Sequence, residues 1–505
     1  MPSRRDELNA YSFARRRAVA AFLAPSPTGS EESAPRPLRT VLPGMIIGAV
    51  LLAGFGAWGM FRPAAPKGWS AEARNVVVGS ESTTRYVVLK THGRKQLHPV
   101  LNMASARLLL DPGSFEVLKV DEKILDGGEL PRGATLGIPY APDRLPDARE
   151  AASPKVWTVC ELPTGDEGRL VERTVYVLAG EERAKVEGRD RLRGRQSLFV
   201  QGPDRTRYLV TADGTSHPIG EGAAARAEQP GTRLSQLVRA LLGEGARPQQ
   251  VSKEWLAALN PGKPLTFPEL QAAGAAAGVP GLPKATDRIG MVLTAATGDG
   301  PQHYVVLPGR IAPVSDLVAR LLMSAPGAQA MYPGEVPAPQ PVAPQAVASG
   351  VRPFYGDRGW PDQIPVQANT GDRTVACGVY HGAKDAPERP ELSLWAGSRR
   401  PLEAVDSGTG TYVTPGTGLL LRRPDTPGAK SGANYLLTDS GLRYSIPVSG
   451  GSPDQDGGAG GRVNENQVRL GYGDTKPVEV PAAWVDFLSK GPSLDTASAR
   501  QPQGS

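Results

Sequence analysis

The sequence predicts a β-rich α+β fold: a single N-terminal transmembrane helix, then an extracytoplasmic body of four small βββα repeat domains around a β core. Three observations predict it. The first is composition: 60 glycines and 49 prolines in 505 residues, with hydrophobic residues at 40% and charged residues at 21%. That balance is too apolar for disorder and too broken by Gly and Pro for helical bundles or coiled coils. The second is an uncharged apolar run between Arg39 and Arg62, and the third is a strand pattern that recurs four times.

Residues 1–40 form a basic arm with seven arginines and no lysine. Within it, RDELNAYSFARRRAVAAFLA sets Leu8, Tyr11, Phe13, Val19 and Phe22 at helical spacing, and Pro25 and Pro27 stop the helix. Two readings stay open: a helix lying on anionic lipid, or a docking helix that meets a cytoplasmic partner through Tyr11, Phe13, Arg15, Arg16 and Arg17. Residues 41–61 follow as the anchor. As a helix they span about 31 Å, against a hydrocarbon core of about 30 Å. The run is apolar all round, unlike a striped core helix, and longer than the apolar part of a cleaved signal peptide. Basic residues stay inside, so the N-terminus is expected in the cytoplasm and the body outside.

The repeat is carried by RYVVLKTHG at Arg85, RYLVTADG at Arg207, HYVVLPG at His303 and NYLLTDSG at Asn434. Each has a tyrosine (Tyr86, Tyr208, Tyr304, Tyr435), an apolar run and a glycine. Each follows another apolar run and leads to a proline: Pro99, Pro218, Pro313 and Pro447. Three short antiparallel strands are predicted per copy, with the tyrosines in the repeat cores. A closing helix is predicted from Leu234, Leu237, Val238, Leu241 and Leu242, and from Val314, Leu317, Val318, Leu321 and Leu322. Val480, Ala483, Trp484, Phe487 and Leu488 predict another, and Val100, Met103, Ala104 and Leu108 a looser one.

The domain order is then repeat 1 (75–111), core half A (112–195), repeat 2 (197–282) and repeat 3 (288–324). A Pro-rich extended strap (325–349), core half B (350–416), repeat 4 (418–490) and a tail (491–505) follow. This order reads the same in both directions, which suggests a pseudo-twofold body with the two half-cores paired. Residues 450–461 read as a mobile loop.

Cys160, in KVWTVCEL, and Cys377, in RTVACGVY, lie on β-branched runs, one in each half-core. Outside the membrane they read as a disulfide, with two buried thiols as the alternative. Catalytic signatures are missing. There is no GxxxxGK[ST], GxSxG or HExxH, and Gly262-Lys263 is followed by Pro264, which has no backbone N–H to donate. Five histidines and two cysteines supply no metal-ligand set. His98-Pro99 and His217-Pro218 recur at matching repeat positions and read as structural turns. A net charge of +6 is a weak argument for nucleic acid, which is not expected as a partner.

Taken in order, several segments resemble the EccB family, membrane components of the actinobacterial type VII (ESX) secretion machine. They are RDELNAYSFARRRAV at Arg5, the single anchor, RYVVLKTHGRKQLHPVLNMASARLLL at Arg85, VSKEWLAAL at Val251, HYVVLPGRIAPVSDLVARLL at His303, LGYG at Leu470 and GPSLD at Gly491. The resemblance implies a single-pass cell-membrane protein whose core is tied by a Cys160–Cys377 disulfide. It implies assembly in the bilayer beside the motor ATPase EccC and the subunits EccD and EccE, pairing of outer domains, and export of small helical WXG-type proteins. Some family members are labelled ATPases. Here the phosphate loop is missing, so ATP rests on that label alone and falls on no residue. An ATP-binding hydrolase of the same machine and a cell-wall-binding module are the alternatives to a structural subunit.

Overall fold

The computed structural model describes residues 3–23, 38–61, 65–113, 115–165, 170–222, 231–298, 300–347, 352–382, 389–403, 410–426, 428–429, 431–448 and 464–503. The loop expected at 450–461 lies outside these residues.

The chain divides into two compact units. The first comprises Met1–Trp69, Gly79–Thr83 and Leu118–Glu129. It holds helix α1 (Arg4–Leu23) and helix α2 (Leu38–Phe61). Ser3 opens α1, its backbone N–H and hydroxyl both donating to the Asp6 carboxylate, at 3.1 and 2.8 Å. The α2 helix stands where the anchor was expected, but among the described residues no helix is long and apolar enough to cross a membrane. In the same unit, Glu122 accepts from the Ser82 and Glu81 backbone N–H groups and the Ser80 hydroxyl at 2.7, 3.0 and 3.0 Å.

The second unit contains the sheets. Strands β1 (Val76–Gly79), β2 (Arg85–Thr91) and β3 (Arg94–Val100) pair antiparallel and lead into α3 (Met103–Leu109). The hairpin β4 (Val156–Thr164) and β5 (Leu170–Leu178) follows. Then β6 (Gln196–Gln201), β7 (Arg207–Thr211) and β8 (Thr215–Pro218) pair antiparallel, followed by α4 (Arg233–Leu242). The same order gives β9 (Val292–Thr297), β10 (Gly300–Leu307), β11 (Arg310–Val314) and α5 (Asp316–Ser324). Strands β12 (Val375–Tyr380), β13 (Leu392–Gly397) and β14 (Thr411–Val413) precede β15 (Gly418–Pro424), β16 (Gly432–Thr438) and β17 (Leu442–Ser445). Thr232 and Ser315 cap α4 and α5 with their side-chain oxygens, which hold otherwise unpaired first-turn amides.

The five-stranded core sheet has the order β13-β12-β4-β5-β14. Its middle pair, β12 and β4, joins strands from distant parts of the chain. On one face Trp157, Trp255, Tyr380 and Trp484 form a cluster with Leu198 of the β6–β8 sheet and Leu419 of the β15–β17 sheet. A second cluster packs α4 on α5, giving the β6–β8 and β9–β11 sheets a shared core. A third joins α3 to Leu420 and Leu436 of the β15–β17 sheet.

Two local expectations are corrected. The helix expected over 480–488 is only Ala482–Val485. It is flanked by Val478–Glu479, parallel to β15, and Ser489–Lys490, parallel to β17. Gln249–Gln250 and Asn260–Pro261 flank Lys253–Ala257 in the same way, parallel to β6 and β8. Residues 480–488 therefore match 251–259, not the α4 stripe. Over so short a stretch a single turn and a long amphipathic helix show the same apolar spacing. The run 325–349 is not simply extended: Met331 and Tyr332 are buried, the Tyr332 hydroxyl accepts from the Val292 N–H at 2.8 Å, and Gln340–Pro341 pairs parallel with β9.

Candidate functional site

Cys160 on β4 and Cys377 on β12 are register partners and form a disulfide, both nearly inaccessible. The next residue along β4, Glu161, is fully buried. Its carboxylate accepts from Arg173 Nε at 3.0 Å, the Ser252 N–H at 2.7 Å and the Ser252 hydroxyl at 2.5 Å. Every partner Glu161 holds is a donor, which is what a buried carboxylate needs. Arg173 reaches on to Glu254 at 3.2 Å and lies 5.0 Å over the Phe487 ring.

Two tryptophans extend this lock. Trp255 donates its indole N–H to the Val159 carbonyl on β4, and Trp484 donates to the Ala258 carbonyl, each at 3.1 Å. The three parts are thus keyed to one another: the core sheet holds the 251–259 segment, that segment holds 480–488, and 480–488 also meets the sheet at Tyr380 and Arg173. Sequence reasoning missed Glu161, Arg173, Trp255 and Trp484 as a set. The available signal was the shared Val-x-x-x-Trp of Val251–Trp255 and Val480–Trp484.

The four repeat tyrosines occupy equivalent second-strand positions, paired with Val77, Val200, Leu293 and Leu421. Tyr86 and Tyr304 are buried, while Tyr208 and Tyr435 are half-buried. Arg132 covers the Tyr86 ring at 4.5 Å and Arg443 the Tyr435 ring at 5.2 Å. Tyr208 and Tyr435 both border the cluster around Trp157 and Trp484, whereas Tyr304 lies in another core and Tyr86 in neither. On α1, Tyr11 and Phe13 are 71% and 60% exposed, and Arg15, Arg16 and Arg17 are exposed as well. At 100° per residue, Tyr11 and Arg15 share a face, whereas Phe13, Arg16 and Arg17 point elsewhere.

His98 and His217 sit at matching turns. His98 bonds the Ala134 carbonyl at 2.8 Å and Thr91 Oγ1 at 3.0 Å, and His217 bonds the Lys263 carbonyl at 2.9 Å. Burial pushes the His217 pKa down, so the ring is held neutral. Gly133 and Gly262 lie flat against the two rings, where a Cβ would collide with each imidazole. Among the described residues no group of three His, Cys, Asp or Glu could hold a metal ion.

The surface clefts among the described residues include the following two. One, of about 390 Å³ between α4 and α5, presents Arg239 and Arg320 with Gln236 and Ser324. Arg239 is already paired with Glu244 at 3.3 Å, and Ser324 ends α5, where helix carbonyls repel an anion. The other, of about 420 Å³, is lined by His303, Asp316, Tyr355, Trp360 and Asp362. Its two carboxylates oppose a phosphate.

Fold and site together define a β-rich α+β protein in which a disulfide and buried indole contacts tie remote segments of the chain together. The chain belongs to the EccB family of type VII secretion: the family described as "Type VII secretion system ESX-1, transport TM domain B" matches residues 1–504. It is 26% identical to "ESX-1 secretion system ATPase EccB1" of Mycolicibacterium smegmatis (strain MKD8), over 91% of this chain and 87% of that protein. It is 28% identical to "ESX-3 secretion system ATPase EccB3" of Mycobacterium tuberculosis (strain ATCC 25618 / H37Rv), over 92% and 83%. Among solved structures, a chain of an intact ESX-5 inner membrane complex matches with a TM-score of 0.60 at 21% identity, covering 100% of this chain and 96% of that one. A chain of the EccB3 dimer from the ESX-3 core complex matches with a TM-score of 0.60 at 24% identity, covering 84% and 99%. These two likenesses show the fold.

Proposed function

We propose that this chain is the bitopic structural subunit of a type VII secretion membrane complex and supports export of small helical WXG-type proteins. The observation that carries the reading is the central lock, in which Cys160–Cys377, Glu161, Trp255 and Trp484 tie remote chain segments together. Such a body transmits position, not chemistry. The apolar run 41–61 serves as the membrane anchor, with the arginine-rich arm in the cytoplasm and the body outside. The four sheets serve as four repeat domains around the core, and the outer body self-associates, as the relative described as an EccB3 dimer does. The arm meets an EccC-like motor ATPase, and the anchor packs beside EccD-like and EccE-like subunits. A hydrolase reading is favoured by one observation, the ATPase name its relatives carry. Against it stands the missing phosphate loop.

The test deletes the chain's gene from its own host and restores it with a tagged full-length copy. Membranes solubilised in mild detergent are run on a native gel, and secreted small proteins are measured. Restored secretion, with the tag in a large membrane complex, is expected. A tag that migrates alone while secretion is restored contradicts the reading.

A further inference from the structure

The α1 helix carries a two-heptad seam that its apolar content alone conceals. Leu8, Tyr11, Arg15, Ala18 and Phe22 are spaced 3, 4, 3, 4, the repeat of a coiled-coil contact line. All five are exposed, Leu8 at 67%, Tyr11 at 71% and Phe22 at 90%. The geometry points to this seam as the docking line for one helix of a different chain, carrying an Asp or Glu opposite Arg15. The inference rests on the reading of the chain as a subunit of a membrane complex.

Three alternatives fit the seam less well. Arg15 is the midpoint of the stripe from Leu8 to Phe22. A second copy of this helix, in register and parallel or antiparallel, therefore sets two guanidinium groups against each other in an apolar seam. A lipid surface wants apolar residues gathered on one wide face with cations at its rim. Here the cation is at the centre of the stripe and Phe13 lies on the far side. Most helical stability in proteins comes from packing one face against a neighbour rather than from propensity, so the exposed seam is stabilised by a helix already formed in its partner. A facing carboxylate satisfies Arg15 and fixes the register, the role that a polar residue at one seam position plays in coiled coils.

The test places p-benzoylphenylalanine in the full-length protein in its native membrane, at Tyr11 on the seam or at Phe13 off it. Each change is aromatic for aromatic. After irradiation, cross-linked peptides are mapped by mass spectrometry, and complex membership is read on the same native gel. The expected result is a cross-link from Tyr11, and not Phe13, to a helical segment of another chain with Asp or Glu within one turn of the linked residue. Arg15→Glu lowers that yield at least about tenfold, and reversing the facing acid to Arg in the Arg15→Glu background restores it. Cross-links to lipid only, to a second copy, equally from both positions, or from neither overturn the seam. If the chain still migrates in the complex, the subunit reading survives that failure; if it migrates alone, both fall.

Discussion

Replacing Trp484 with Phe tests whether the lock couples chain segments or merely fills space. Trp484 is 1% exposed, and its indole N–H meets the Ala258 carbonyl at 3.1 Å. Its ring lies 5.5 Å from that of Tyr380 and 6.3 Å from that of Phe487. Trp484→Phe keeps most of the ring contact but strips a buried carbonyl of that donor, at a cost of about 1–3 kcal/mol. Trp484→Ala also opens a cavity, for a total of about 3–5 kcal/mol. A multidomain chain does not unfold in one step, so the readout is local amide exchange. At about 1.4 kcal/mol per tenfold, Trp484→Phe speeds exchange across 254–260 about 5- to 150-fold, although the substitution lies more than 220 residues away in sequence. Trp255→Phe acts on the same segment through Val159, so the double variant departs from additivity. Faster exchange confined to 478–490, with 254–260 unchanged, refutes the coupling between these two segments.

Other consequences are as direct. Removing the disulfide with Cys160→Ala and Cys377→Ala frees a 217-residue loop in the unfolded chain, which chain entropy puts at up to about 5 kcal/mol. Urea unfolding followed by core-sheet exchange shows a lower midpoint, and an unchanged midpoint contradicts it. Donation from the Ser82 backbone N–H, then from the Glu81 backbone N–H and the Ser82 and Ser80 hydroxyls, holds the Glu122 carboxyl down at about 2, below its usual carboxylate range. A lowered carboxylate pKa stabilises the folded turn above the unfolded value and loses that contribution as pH falls toward 2. NMR titration of Glu122 shows a midpoint near 2, and Glu122→Gln abolishes the acid-dependent loosening of residues 79–83; a midpoint near 4.5 contradicts it. Replacing Arg15, Arg16 and Arg17 together with Glu stops export while the chain stays in the membrane. Continued export, measured on the secreted small proteins, counts against any docking role for the arm.

The strands were legible where alternation and turn glycines act locally. RYVVL, RYLV, HYVVL and NYLL each form a second strand, with the four tyrosines in matching register. The cysteines were legible from their β-branched flanks. Glu161 was not, because a carboxylate late in a strand reads as surface. It is buried only because Arg173, 12 residues away, and Ser252, 91 away, bring donors to it. Trp484 was seen but misplaced, since its stripe mimics a long closing helix until the flanking parallel strands show its true counterpart at Trp255. On the arm, apolarity grouped Tyr11 with Phe13, and only helical phase separates them.

Whether this subunit holds parts or spends ATP is settled by phosphate release from the purified full-length chain in detergent, with Mg-ATP. Arg239→Ala and Arg320→Ala serve as probes of the cleft between α4 and α5. The structural account predicts release no faster than the protein-free blank, the same for the unmodified chain and both variants. Sustained turnover that either substitution abolishes, with the native-gel complex intact, contradicts it.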